Sequence, residues 1–257
     1  MFPLPPLRPE QLALVESVRT LARERFAPRA AWYDEQSRFP VENYQDLRDA
    51  GLLGLVIPRE YGGQGADSLT YVLCLMEMAR GDSSTALTFN MHSTILNYLT
   101  TLASEEQKRR YFGEVIERGM LIASITSEPD SSFRGAFVLR TVFEPLDGGY
   151  RVRGLKFFCS LGESADYYFV SGMREGSDTA REGLITAMLP RLAAGITVEG
   201  RWNAIGMRGT TSHTLRYDSV VDQPDVIGAP GQLLTIDLST AGLGYSAVYL
   251  GIAEAAC

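Results

Sequence analysis

Leu14, Val18 and Leu21 recur at helical spacing with charged residues between them, which predicts a first helix ended by Pro28. Phe39-Pro40 opens a second, with Pro40 in its first turn and Gly51 just past its end. Leu52 to Pro58 forms a short apolar connection, and Gly62, Gly63 and Gly65 then mark a loop. They do not make a phosphate cradle, because no strand–glycine–helix order surrounds them. Ser68 is placed to cap a helix running to Arg80, and Ser83 or Ser84 to cap the next. Ser104-Glu105-Glu106-Gln107 reads as a capping box for a helix that ends at Gly119. Met, Leu and aromatic residues dominate Leu69 to Leu102, the expected interior of a helical bundle.

The period shortens after Gly119. Leu121 to Thr126 is short and apolar, and Asp147-Gly148-Gly149 between alternating runs signals a hairpin. Extended patterns continue at Tyr150 to Phe158, Tyr167 to Ser171, Leu184 to Leu189 and Leu215 to Val221, which together predict a small β-barrel or sandwich. From Leu233 the chain reads as helical again and reaches Cys257 without a cap signal, the mark of a fragment or a truncated product. The expected class is α+β: an N-terminal helical bundle over 1–119, a middle β domain over 120–230, and the start of a truncated C-terminal helical bundle over 231–257.

Composition narrows the function. The 257 residues are 45% hydrophobic and 21% charged, as in an ordinary globular chain. A net charge of -7 argues against nucleic acid as a partner, since phosphate backbones need a basic surface. A polyanionic small molecule would need a local basic patch. Cys74, Cys159 and Cys257 fit no paired framework and suggest a reducing compartment, with Cys74 packed as a small hydrophobe. His92 and His213 stand apart from any cysteine cluster, so no transition-metal site is expected. The N-terminus has no signal-peptide pattern and no apolar run is long enough for a bilayer, which makes a cytoplasmic protein the expectation.

Two segments concentrate hydroxyls and an aromatic on predicted strands, Thr126-Ser127-Glu128-Pro129-Asp130-Ser131-Ser132 and Lys156-Phe157-Phe158-Cys159-Ser160. Such groups suit a flat, hydrogen-bonding ligand. With Gly51-Leu52 through Ile57-Pro58 to Tyr61-Gly62-Gly63, and with Ile205-Gly206-Met207-Arg208-Gly209-Thr210-Thr211-Ser212, their order resembles the acyl-CoA dehydrogenase family over nearly the whole chain. The resemblance implies FAD. Ser127 stands before Glu-Pro where a Thr is usual and is favoured by register to meet the flavin, with Thr126 the alternative, since strand alternation sends the two to opposite faces. Asp130-Ser131-Ser132-Phe133-Arg134 replaces the usual Gly-rich continuation; Ser131 or Ser132 would donate to a phosphate and Arg134 would offset its charge. Phe158 stands where the family commonly has Trp and offers a stacking face without an indole N–H, and Ser160 replaces a Thr hydroxyl as a donor. Ala165-Asp166 also matches. Arg208 has the larger claim as a structural tie between the β part and a helix, and His213 reads as a turn or surface residue. His92 is either packed within its helix or an acid/base group or polar anchor in the substrate cavity; with Arg134 it completes the candidate substrate contacts.

The implied reaction is α,β-dehydrogenation of an acyl thioester: a carboxylate takes the α-proton while the flavin takes a β-hydride. The family's carboxylate lies either beyond Cys257 or, by alignment, near Ala241. No Glu occurs between Arg201 and Ala253, and Glu254 matches neither position, so no catalytic base is assigned. The resemblance further implies a homotetramer at full length, with an electron acceptor that the sequence does not specify. The elements by which a neighbouring subunit holds the adenosine diphosphate half of FAD are absent. Two other readings stay open: a flavin-dependent monooxygenase on the same fold, using reduced flavin and O₂, and a non-catalytic truncated paralogue.

Overall fold

The computed structural model describes residues 6–129, 139–237 and 239–257, the side chains of 239–241 excepted. The first helix, α1 (Pro9–Leu21), does not stop at Pro28. It runs through a wide π-type turn at Ala22–Phe26 into α2 (Ala27–Glu35), with Pro28 in the first turn of α2. The wide turn carries Ala27 N–H to the Ala22 carbonyl, so the ring of Pro28 enters a stretch where helical bonding has already changed register. Pro40 opens α3 (Val41–Asp49), and Gly51 follows with a left-handed φ of 67°.

The helices α4 (Ser68–Gly81) and α5 (Ser83–Leu102) are capped one residue earlier than the serines suggest. Asp67 accepts from Thr70 N–H, and Asp82 accepts from Ser84 and Thr85 N–H. A carboxylate both satisfies these orphan donors and meets the positive end of the helix, which explains why it outranks the adjacent serines. The capping box of α6 (Glu105–Arg118) forms as read, and Gly119 ends that helix in the left-handed conformation.

The β half follows, with seven strands among the described residues. β1 (Ile122–Ile125) lies parallel to β4 (Tyr167–Arg174); β2 (Val142–Leu146) and β3 (Gly149–Cys159) form the hairpin that turns at Asp147-Gly148. A short α7 (Ala180–Gly183) precedes β5 (Leu184–Pro190), which pairs with β4; β6 (Ile196–Gly200) pairs with β7 (His213–Asp222), and β7 pairs with β3. The resulting sheet runs β1-β4-β2-β3-β7-β6, with β5 on the free side of β4. The helical half followed by this curled sheet is the α+β architecture expected. The larger of two apolar clusters among the described residues joins them, from Phe26, Leu47 and Phe89 through Ile95 and Phe112 to Ile125, Phe169 and Met188; Leu139, Met173, Ala180 and Leu184 form the smaller one.

A 3₁₀ turn at Gln232–Thr235 precedes α8 (Ser239–Ala255), so the helical tail begins a little later than its composition suggests. The docking face of α8 is Gly244, Ala247, Val248 and Gly251, small residues at helical spacing. A Cβ on Gly251 would collide with the Met76 carbonyl oxygen, and one on Gly244 with Asn90 Oδ1. The backbone of α8 therefore lies directly on α4 and α5. Arg80 reaches from α4 to Glu254 at 3.0 Å on the rim of this contact.

Candidate functional site

The site begins where the chain leaves β1. Three residues beyond it, Glu128 is buried and paired with Lys156 of β3 at 2.6 Å. Lys156 Nζ also donates to the Ser171 carbonyl at 2.6 Å and the Thr126 carbonyl at 3.3 Å, so its three protons are spent. Glu128 in turn accepts from the backbone N–H groups of Thr141 and Arg140. Burial by itself would raise the Glu128 carboxyl; the Lys156 charge and these donors outweigh it and hold the group below the usual carboxylate range. Burial likewise pushes the Lys156 ammonium down, against the pull of Glu128. The Ser127 carbonyl accepts from Phe157 N–H at 2.9 Å. Together these bonds fix Thr126 and Ser127 against β3.

Lys156 was missed in the sequence, and a signal for it existed. Strand alternation puts Val152, Gly154 and Lys156 on the inward face, where an unpaired ammonium is not tolerated. Beyond Lys156 the register of β3 slips against β7, and Phe158 takes a φ of 54°. This bulge lifts the Phe158 ring out of the pleat, leaving it 60% exposed, edge-on to Trp202 with centroids 5.8 Å apart. Just past the bulge, Ser160 Oγ lies 2.9 Å from Ser212 Oγ, which lies 2.8 Å from Thr210 Oγ1; the Thr210 hydroxyl donates to the Met207 carbonyl at 2.9 Å.

These elements enclose a cavity of about 630 Å³. Thr126, Ser127, Phe158 and Ser160 all line it; the expectation that Thr126 and Ser127 point to opposite faces is corrected, because β1 ends at Ile125 and strand alternation does not extend to them. Leu87, Met91, Thr94 and Tyr98 line it from α5, Trp202 and Met207 from the loop before β7, and Tyr245 from α8. No aspartate, glutamate or histidine is among these described lining residues. A more polar cavity of about 350 Å³ adjoins it, sharing Thr94 and Tyr98 and reaching Asp237.

Ser131, Ser132 and Arg134 lie outside the described residues. Of the two readings of His92, the described structure has the packed one. His92 is fully buried, its Nδ1 accepts from Ile122 N–H at 3.1 Å, and its Nε2–H donates to the Leu53 carbonyl at 3.3 Å. Both ring nitrogens are consumed by main chain, and burial lowers its pKa from 6.5 to about 4. The neutral ring therefore contributes stability that is complete above the unfolded value and is lost as pH falls from 6.5 towards 4. Denaturant titrations at pH 7 and pH 5 should differ by about 2 kcal/mol from this residue alone. His92→Phe should flatten that slope while lowering stability at both pH values.

His213 is also corrected: it is buried, and its Nδ1 accepts from the Trp202 backbone N–H at 2.9 Å. The Trp202 indole N–H donates to the Met207 carbonyl at 3.2 Å, so Trp202 brings an indole to the cavity without a spare donor. Arg208 ties the β half to α2, donating to the Asp34 carbonyl at 2.8 Å and pairing with the Asp34 carboxylate at 2.6 Å. Glu254 is held by Arg80, away from the cavity.

An apolar chamber between helices and a curled sheet, with hydroxyls at the strand ends on its wall, has the shape and chemistry of a site for a flat, partly polar ring beside an apolar group. The chain belongs to the acyl-CoA dehydrogenase family: models of the acyl-CoA dehydrogenase N-terminal domain and middle domain match residues 8–118 and 123–220. It is 34% identical over 222 residues to dibenzothiophene monooxygenase of Rhodococcus erythropolis, covering 82% of this chain and 53% of that protein. It is 29% identical over 252 residues to an acyl-CoA dehydrogenase of Bacillus subtilis, covering 96% and 66%. Among solved structures, TdsC from Paenibacillus sp. A11-2 in complex with FMN and indole superposes with a TM-score of 0.78 at 28% identity, over 96% of this chain and 62% of that one. The chain thus spans about half the length of the monooxygenase relative it matches.

Proposed function

We propose that this chain is the flavin- and substrate-enclosing part of an FAD-dependent oxidoreductase that dehydrogenates an acyl thioester between its α- and β-carbons. The observation that carries the reading is the convergence of Thr126, Ser127, Phe158 and Ser160 on one wall of the 630 Å³ cavity. A hydroxyl wall with an aromatic at its edge fits an isoalloxazine ring, and the complex of TdsC with FMN supports a flavin. When bound, the flavin supplies a hydride acceptor.

The residues of this chain orient and enclose. Thr126 and Ser127, held by Lys156 and Glu128, present hydroxyls in fixed positions to the ring edge. Phe158 and Trp202 close one side, and Leu87, Met91 and Tyr98 exclude water from the acyl chain. Ser132, Arg134 and the partner subunit of a homotetramer complete the pyrophosphate and adenosine contacts. The proton acceptor lies outside the described lining of the cavity. The thiols, unpaired at Cys74, Cys159 and Cys257, suit the cytoplasm, and no described helix is long and apolar enough to cross a membrane.

A second reading, a monooxygenase using reduced flavin and O₂, is favoured by two observations. No carboxylate is among the described residues lining the cavity, and the monooxygenase relative is 34% identical. Anaerobic titration of the complete gene product with a panel of acyl-CoA thioesters separates the readings. Bleaching near 450 nm without added reductant is expected of a dehydrogenase. Bound flavin that no thioester bleaches would transfer the assignment to the oxygen-using reaction, and the absence of bound flavin would overturn both.

A further inference from the structure

The direction of the hydroxyl chain behind Ser160 is set at its far end. The Met207 carbonyl only accepts, so the Thr210 hydroxyl must donate to it for their 2.9 Å contact to be a bond. Thr210 then has lone pairs alone for Ser212, and Ser212 must donate to Thr210 at 2.8 Å. Ser212 has by then spent its proton, so Ser160 must donate to Ser212 at 2.9 Å. Only this order makes three bonds from three protons; the reverse order leaves two oxygens facing each other at 2.9 Å with no hydrogen between them. Ser160, Thr210 and Ser212 are all buried, and all three also border the cavity, so the relay runs along its wall.

The surroundings reinforce it. Ser160 N–H is spent on the Phe158 carbonyl at 2.8 Å, and the indole N–H of Trp202 on the same Met207 carbonyl that ends the relay. Ser160 therefore turns lone pairs, and no proton, towards the cavity that it lines with Phe158 and Trp202. This reverses the donor role that its position in the sequence suggests.

We propose that Ser160 receives a hydrogen bond from an N–H of the bound ligand, and that Ser212 and Thr210 are positioning residues that hold it in this state. The inference rests on the flavin reading and gives it a redox sense. A reduced flavin ring carries an N–H where the oxidised ring carries a bare nitrogen, so an acceptor-only Ser160 favours the reduced ring and repels the lone pair of the oxidised one. The preference holds for either reaction, since it concerns the cofactor and not the substrate.

The test is an anaerobic titration of the complete gene product with oxidised and dithionite-reduced flavin, FMN and FAD in turn, read as the ratio of the two dissociation constants. The wild type is expected to bind the reduced form more tightly. Ser212→Ala releases the Ser160 proton towards the cavity and should shrink the ratio about tenfold, the worth of one hydrogen bond gained by the oxidised ring and lost by the reduced one. Thr210→Val cuts the relay one bond further out and should move the ratio in the same direction; it stands in for Ser212→Ala if that variant melts early. A ratio unchanged in the folded variants, or a wild type that prefers oxidised flavin, overturns the relay and leaves the flavin reading intact. If neither redox state binds, the flavin reading fails and the relay falls with it.

Discussion

Lys156→Met should destabilise the protein by about 3–5 kcal/mol, because it strands the Glu128 carboxylate in an interior that cannot solvate it. Methionine fills much of the volume of the lysine stem, so the loss is electrostatic and not a cavity. For a chain of this length the melting temperature should fall on the order of 10 °C. Glu128→Gln in the Lys156→Met background should recover part of the loss, since it removes the charge, although its single oxygen can serve only one of the Thr141 and Arg140 amides, which donate to different oxygens of Glu128. Lys156→Met also frees the Thr126 carbonyl and loosens the segment that carries Ser127, so ligand affinity should fall as well. Thermal melts of the single and double variants decide the matter: a loss below about 1 kcal/mol in the single variant would mean that the pair is solvated and does not brace the site.

Gly251→Val should cost on the order of 3 kcal/mol, the upper end of ordinary overpacking. The added carbons would meet the Met76 carbonyl and the Ala79 methyl, and neither contact is a flexible side-chain end. Relief requires α8 to move away from α4, which strips Tyr245 from the cavity wall and pulls Glu254 from Arg80. The expected signature combines a lower melting temperature with protease cleavage confined at first to the segment ahead of α8. An unchanged melt would show that α8 is not pressed on α4 in solution.

How far the sequence could be read depended on the range of the forces at work. The capping box at Ser104 and the hairpin at Gly148 are local devices, complete within a few residues, and both form as expected. The caps at Asp67 and Asp82 were displaced by one residue because two suitable side chains stood side by side, and only helix register chooses between them. Pro28 misled for a related reason: its cost to a helix depends on the turn before it, and the π-type turn at Ala22–Phe26 is not a composition signal. At the site, family-like spacing located Thr126, Ser127, Phe158 and Ser160, which do share a cavity. It could not place His92, whose position on α5 is one helical step from Met91 on the lining face. His213 and Ser212 were passed over or misread because their partners, Trp202 and Ser160, reach them only through the turn before β7 and the pairing of β3 with β7.

His92 has a further meaning for how this surface diversifies. It joins the helical half to the first strand by gripping main-chain atoms alone, the Leu53 carbonyl and the Ile122 amide, which every residue type at those positions except proline at 122 supplies. The joint places no demand on the identity of its neighbours, so Leu87, Met91 and Tyr98 on the same helix are free to drift one at a time. A scaffold held this way lets the lining of the cavity change in small, separately tolerated steps without loosening the joint between helices and sheet.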